Sequence, residues 1–170
     1  MKQILTDFSL GSYVGLVVEA DGDETAYLNE LINTVIDNVT YRLDENALEE
    51  EAARAERDLR EGLKKGKKPI GAFCYINGIT EDELPDYCKA NLLRTALENL
   101  TIESIAEVEG IEVTPEDIET YKQEYRDQYV RTLLAEPDFG DEELAEAILV
   151  KRVLHFLKDN NTWKKGLSNG

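Results

Sequence analysis

The chain has 170 residues, long enough for one medium domain or two small lobes with a real core. Its 36 acidic against 19 basic side chains give a formal charge of -17, a field that repels nucleic acid and anionic membrane, so neither is expected as a partner. Apolar residues make up 42% of the chain, too many for a disordered one even with 32% charged.

No apolar run approaches the length of a membrane span, and MetLysGlnIleLeuThrAspPhe carries no signal-peptide core, so a cytoplasmic location is expected. The segment 9–22 is rich in β-branched and aromatic residues, punctuated by Gly11 and Gly15, and reads as one extended stretch. With no partner strand evident in the sequence, it is expected to lie against helices or to pair with a second chain. Asp23 then caps a helix over 23–40 with Leu28, Leu31, Ile32, Val35, Ile36 and Val39 at helical spacing.

Asp44 caps the next helix, from Glu45 to Lys68, with Leu43 and Leu48 as staple partners. Glu49, Glu50 and Glu51 come early and Lys64, Lys65, Lys67 and Lys68 late, an order that complements the helix dipole. Its few large apolar residues predict a solvated helix with a narrow contact stripe. Charge runs of the Lys64–Lys68 kind are ordinarily solvated faces. Pro69 and the apolar run IleGlyAlaPheCysTyrIle lead to AsnGly. The two cysteines, Cys74 and Cys88, lack zinc-ligand or redox-motif spacing; reduced, partly buried thiols are expected, a lone disulfide being the alternative.

The stretch from Asn77 to Asp117 organises the rest. Thr80 with Glu83 forms a capping-box pattern flanked by Ile79 and Leu84, predicting a helix from Thr80 to about Glu109 that ends at Gly110. Pro85 falls in its first turns, where it removes one backbone bond and bends the start. Leu92, Leu93, Ala96, Leu97 and Leu100 cover one side, and Ile102, Ile105 and Ala106 the other. A helix apolar on both sides is sandwiched between other elements, so its C-terminal half is expected at the centre of the fold.

Thr114, Pro115 and Asp117 repeat the helix-start device, with Val113 stapling to Ile118. The helix that follows carries Tyr121, Tyr125 and Tyr129 at four-residue spacing, either its packed face or an adaptable apolar surface. ProAspPheGlyAsp at 137–141 is a turn. The last helix, Asp141 to about Asn160, is apolar nearly all round and expected to be buried; Trp163 and the tail are expected to be loose. From Thr101 to Ala147 there are fifteen Asp or Glu against three Lys or Arg, so the acidity concentrates there.

Residue chemistry points away from catalysis. The single histidine, His155, stands among Lys151, Arg152 and Lys158 with no cysteine, serine or carboxylate pattern around it, and reads as a surface or boundary residue. Neither a glycine-rich phosphate loop nor a nucleophile elbow is present. First-turn acids such as GluAspGluLeu and AspGluGluLeu serve helix starts rather than metal ligation. The expectation is no enzyme, no cofactor and no metal.

The residues AlaLeuGluAsnLeuThrIleGluSerIleAlaGluValGluGlyIleGluValThrProGluAspIleGlu closely resemble the C-terminal chaperone domain of trigger factor. TyrIleAsnGlyIleThrGluAspGluLeu is similar to that family's tip before the same helix, and LeuGlySerTyrValGlyLeuValValGlu to the segment preceding its prolyl-isomerase domain. The resemblance spans residues 9–160, with 92–119 its specific part. It implies an all-α fold: an elongated multi-helix body with two helical arms plus one short N-terminal extended segment. The whole of 1–170 would be one such domain, with 9–22 extended, 23–40 the first helix, 44–108 the first arm and central helix, and 115–160 the second arm and buried final helix.

The resemblance further implies an ATP-independent module that holds unfolded or nascent polypeptide on the concave surface between its arms. Candidate client-binding residues are Phe73, Tyr75, Ile76 and Tyr87 near the first tip, and Tyr121, Tyr125 and Phe139 on the second arm. AspGlyAspGlu runs straight into the first helix where the family's isomerase domain would follow, and no basic ribosome-docking signature is evident. Neither isomerase activity, despite the label the family name carries, nor ribosome docking is therefore expected. The alternative from a different class is a structural module that dimerises or binds one folded partner, for which the extended segment and the tyrosine stripe would suit a self-complementary dimer.

Overall fold

The computed structural model describes residues 3–132 and 140–165, with side chains in the helix before the gap described as far as Glu124. The fold is mostly helical, as the sequence implies. The order along the described chain is β1 (Leu5–Ser9), β2 (Val17–Ala20), α1 (Glu24–Asp37), β3 (Thr40–Leu43), α2 (Glu45–Lys65), α3 (Ile70–Ile76), α4 (Leu84–Glu109), α5 (Pro115–Thr132), α6 (Asp141–Asp159) and β4 (Thr162–Lys165). It divides into two compact units. One comprises the residues up to Ser9 with Val39–Leu100; the other comprises Leu10–Asn38 and the chain from Thr101 onward.

In the first unit β1 pairs antiparallel with β3, Leu5 opposite Leu43 and Ser9 opposite Thr40. The register is irregular between Thr6 and Ser9, where Asp7 adopts a φ of 50° and reaches Arg42 at 3.3 Å. Asp44 caps α2 as expected, its carboxylate accepting the Ala47 N–H at 3.0 Å, while its own N–H donates to the Ile4 carbonyl. The contact stripe of α2 is narrow: Ala47, Leu48, Glu51 and Ala52 are its buried residues. The helix ends at Lys65, three residues before the expected Lys68. Lys67 takes a φ of 53° and Lys68 N–H closes back onto the Leu63 carbonyl.

The apolar run after Pro69, which carries no helical period, coils into the seven-residue α3. It ends in a Schellman turn: Gly78 sits at φ +67°, Gly78 N–H bonds the Tyr75 carbonyl, and Ile79 N–H bonds the Cys74 carbonyl. The Glu83 carboxylate accepts from both the N–H and the hydroxyl of Thr80, at 2.8 and 2.9 Å. The chain nevertheless makes short three-residue turns there, and α4 proper begins at Leu84 rather than Thr80. Pro85 thus occupies the first turn, where its missing donor would have had no partner, and the expected loss of a helical bond does not arise. Leu84, Cys74 and Cys88 form a small core with Leu59, Ile70, Phe73, Ile79 and Tyr87 against it.

The second unit is built around Leu31, Ile105, Val153 and Leu157, all with no exposed surface, joined by Val18, Ala20, Tyr27, Val35, Ile102 and Ala106. The C-terminal part of α4 is thereby as central as its two-sided apolar pattern implies. It ends at Gly110 in the same Schellman geometry, φ +64°, with Ile111 N–H on the Ala106 carbonyl at 2.8 Å. Asp23 caps α1 through the Ala26 N–H at 3.1 Å.

The ends of the chain depart from expectation. Of the extended stretch, Ser9 ends β1 and Val17–Ala20 form β2, which finds its partner within the chain: it pairs parallel with β4, Val17 opposite Thr162 and Ala20 opposite Lys165. Trp163, expected to be loose, stacks on Tyr27 with ring centroids 5.1 Å apart and donates its indole N–H to the Ala20 carbonyl at 3.1 Å. Burying a large aromatic face and satisfying its one donor outweighs the entropy of ordering four tail residues.

Candidate functional site

Among the described residues, apolar side chains stand outward at several places, Val17 and Val108 included, and two places hold residues that the sequence nominates. The first is the end of α3. A seven-residue helix makes two turns at most, so one face can turn inward: Cys74 is buried and Phe73 and Ile70 pack beside it. Tyr75 and Ile76 are left outward, 85% and 81% exposed. Of the four tip candidates, Phe73 and Tyr87 come together in an edge-to-face pair, centroids 5.9 Å apart, both half-buried on the small core. The Tyr87 hydroxyl donates to Asn77 at 2.9 Å, and the Asn77 amide donates to the Phe73 carbonyl at 2.8 Å. Asn77 therefore ties the turn to α4 while Tyr75 and Ile76 face solvent. Two large apolar groups side by side in water make a patch that a passing apolar chain can cover.

The second place is a cleft of about 620 Å³ between α5 and α6, floored by Ile111, Ile148 and Phe156, with Tyr121, Lys151 and His155 among its walls. Its frame is electrostatic. Thr114 and Asp117 form a reciprocal cap at the start of α5: Thr114 N–H donates to the Asp117 carboxylate at 2.8 Å and Asp117 N–H to the Thr114 hydroxyl at 3.2 Å. The same carboxylate takes both arms of the Arg152 guanidinium from α6, at 2.6 and 3.0 Å, and Arg152 also reaches the Glu112 carbonyl. The Arg152 guanidinium first, and the Thr114 donors after it, hold the Asp117 carboxyl well below the usual carboxylate range. Lys122 adds a second tie, 2.6 Å from Asp141 and 3.0 Å from Glu119.

Tyr121 is half-buried in the cleft wall; the Tyr125 side chain and Phe139 lie outside the described residues. His155 is at the surface, its ring 3.3 Å from Asp159. Both cysteines are free and buried, the reduced reading rather than the disulfide. The cleft residues of α6 were not among the client-binding candidates, because a helix apolar nearly all round does not show which face its neighbour leaves open. Among the described residues no cluster of metal-ligating side chains occurs, and no helix is long and apolar enough to cross a membrane.

The chain is thus a mostly helical module in which one short helix, α3, packs Cys74 and Phe73 on a small core and leaves Tyr75 and Ile76 outward. The chain is a member of the family described as the bacterial trigger factor protein (TF) C-terminus, which matches residues 19–159. Curated trigger factors are similar to it: that of Oceanobacillus iheyensis is 27% identical over 136 residues, covering 78% of this chain and 32% of its own length. Trigger factor from Staphylococcus epidermidis (strain ATCC 35984) is 23% identical over 143 residues, covering 81% and 32%. The chain thus spans about a third of the length of these relatives.

A solved structure of the trigger factor chaperone, from work on promiscuous substrate recognition in folding and assembly, shares the fold at a TM-score of 0.59 and 21% identity over 79% of this chain and 33% of that one. A structure of trigger factor from Thermotoga maritima does so at 0.56 and 21%, over 81% and 83%.

Proposed function

We propose that this chain is a chaperone module that holds unfolded or nascent polypeptide without ATP. The observation that carries the reading is the pair Tyr75 and Ile76, turned to solvent at the end of α3 while Phe73 and Cys74 beside them satisfy the core. Large apolar groups held outward by a capped turn suit contact with client chains of varied sequence, and the charge of -17 keeps a client complex dispersed. Phe73 and Tyr87 shape the first contact surface, and Tyr121, with Tyr125 and Phe139, the second. In this reading 44–108 and 115–160 act as two arms of one domain.

The test is fluorescence anisotropy of a labelled, permanently unfolded client titrated with the chain and with a Tyr75→Ser/Ile76→Ser variant. Both changes are at exposed positions, so the variant folds. Binding by the parent, weakened about five-fold or more in the variant, is expected, since losing two apolar contacts removes roughly 1–3 kcal/mol. Equal affinity would move the contact surface away from the tip. No binding by either would leave a module for one folded partner.

A further inference from the structure

Cys74 is 3% and Cys88 7% exposed, and with Leu84 they are the buried members of a single small cluster at the junction of α3 and α4. Their neighbours in sequence, Phe73 and Tyr87, already meet ring against ring across that junction. The Ile79 N–H bond to the Cys74 carbonyl and the Tyr87–Asn77 hydrogen bond hold the intervening turn closed at both ends. On α2 the Arg60 guanidinium is paired with Glu56 at 2.8 Å. Burial first, and then the Glu56 carboxylate, push the Cys88 thiol up, and the Arg60 charge works against them. The family reading makes no use of either thiol.

We propose that Cys74 and Cys88 are a redox pair that a low-molecular-weight disulfide converts into one intramolecular disulfide, tying α3 to the second turn of α4. One cysteine thiolate attacks a sulfur of the reagent and expels one thiolate, leaving a mixed disulfide on the protein. The second cysteine thiolate then attacks the protein-side sulfur and expels the other half of the reagent. Two protein thiols are oxidised, one external disulfide is reduced to two thiols, and the two protons leave with them. Burial makes the pair slow, so reaction follows local opening of the tip rather than proceeding from the closed form. Once formed, the bond fixes the helix that displays Tyr75 and Ile76; its formation does not depend on whether those residues bind clients.

Incubation of the full chain with glutathione disulfide, followed by alkylation under denaturing conditions and intact-mass measurement, tests this. Expected are a loss of two hydrogens, no alkylated thiol, a proteolytic peptide pair joined through Cys74 and Cys88, and slower hydrogen exchange over residues 70–90. The Cys88→Ser and Cys74→Ser variants, each with one thiol and no resolving partner, are expected to stop at a single stable glutathione adduct. Two glutathiones on the parent chain, a disulfide between two chains, or two fully alkylatable thiols after prolonged incubation would each overturn the pairing.

Discussion

Asp117 carries three jobs on one carboxylate: it closes the cap with Thr114, starts α5 with a negative charge, and clamps Arg152 of α6. Its pKa is depressed in the folded chain, so the stability it contributes is present above the unfolded value near 3.9 and is lost as pH falls through it toward the folded value. Melting temperatures of the parent and Asp117→Asn are expected to differ at pH 7 and to converge as pH drops below about 4. A gap unchanged down to the most acid pH would mean that its charge is idle. Lys67 offers a test of opposite sign. It holds a left-handed backbone, φ 53°, at a helix end where glycine is unstrained, so Lys67→Gly is expected to raise stability in urea unfolding by up to about 1 kcal/mol. Both features separate what sequence shows from what it hides. The Thr114–Asp117 cap and the Gly110 stop are local and were readable. The choice of Lys67 for a glycine's role has no compositional mark.

At the scale of elements, close approaches decide what the chain ends tolerate. A Cβ on Gly11 would stand 2.0 Å from the Asn38 carbonyl oxygen and 2.7 Å from its carbon, both backbone atoms that cannot swing aside. Gly11→Ala is therefore expected to destabilise the second unit by about 2 kcal/mol, in the range of overpacked cores, measured by loss of Trp163 fluorescence in urea. Trp163→Ala removes the stack on Tyr27 and the bond to Ala20 together. A drop of about 3 kcal/mol followed by circular dichroism is expected; a change under half of that would restore the loose tail the sequence suggested.

That tail was illegible because its partners lie 136 and 143 residues away, at Tyr27 and Ala20, and a four-residue strand has too few positions to show alternation. The helices were legible wherever caps and a 3.6-residue period coincide, as at Asp23, Asp44 and the two-sided apolar pattern of α4. Neither aid exists for α3. It is seven residues long and without a side-chain cap. The tip candidates were consequently named from their apolarity, while their division into two packed and two exposed residues came from the turn geometry that the sequence does not display.

Among the described residues, α4 contributes to two separate buried clusters, and the reporters divide between them: the thiols lie in one and Trp163 packs against the other. Leu84 has no exposed surface in the first core, so Leu84→Ala is expected to cost that core about 3 kcal/mol. Its thiols should then react with an aromatic disulfide reagent at urea concentrations that leave Trp163 fluorescence unchanged. Coincident transitions would mean that the two cores unfold as one. Generic holding of unfolded chains is tested by light scattering of a chemically denatured client on dilution, with and without this chain and with no nucleotide present. Scattering is expected to fall progressively as the chain approaches and exceeds the client concentration. Scattering unchanged at several-fold molar excess would contradict it.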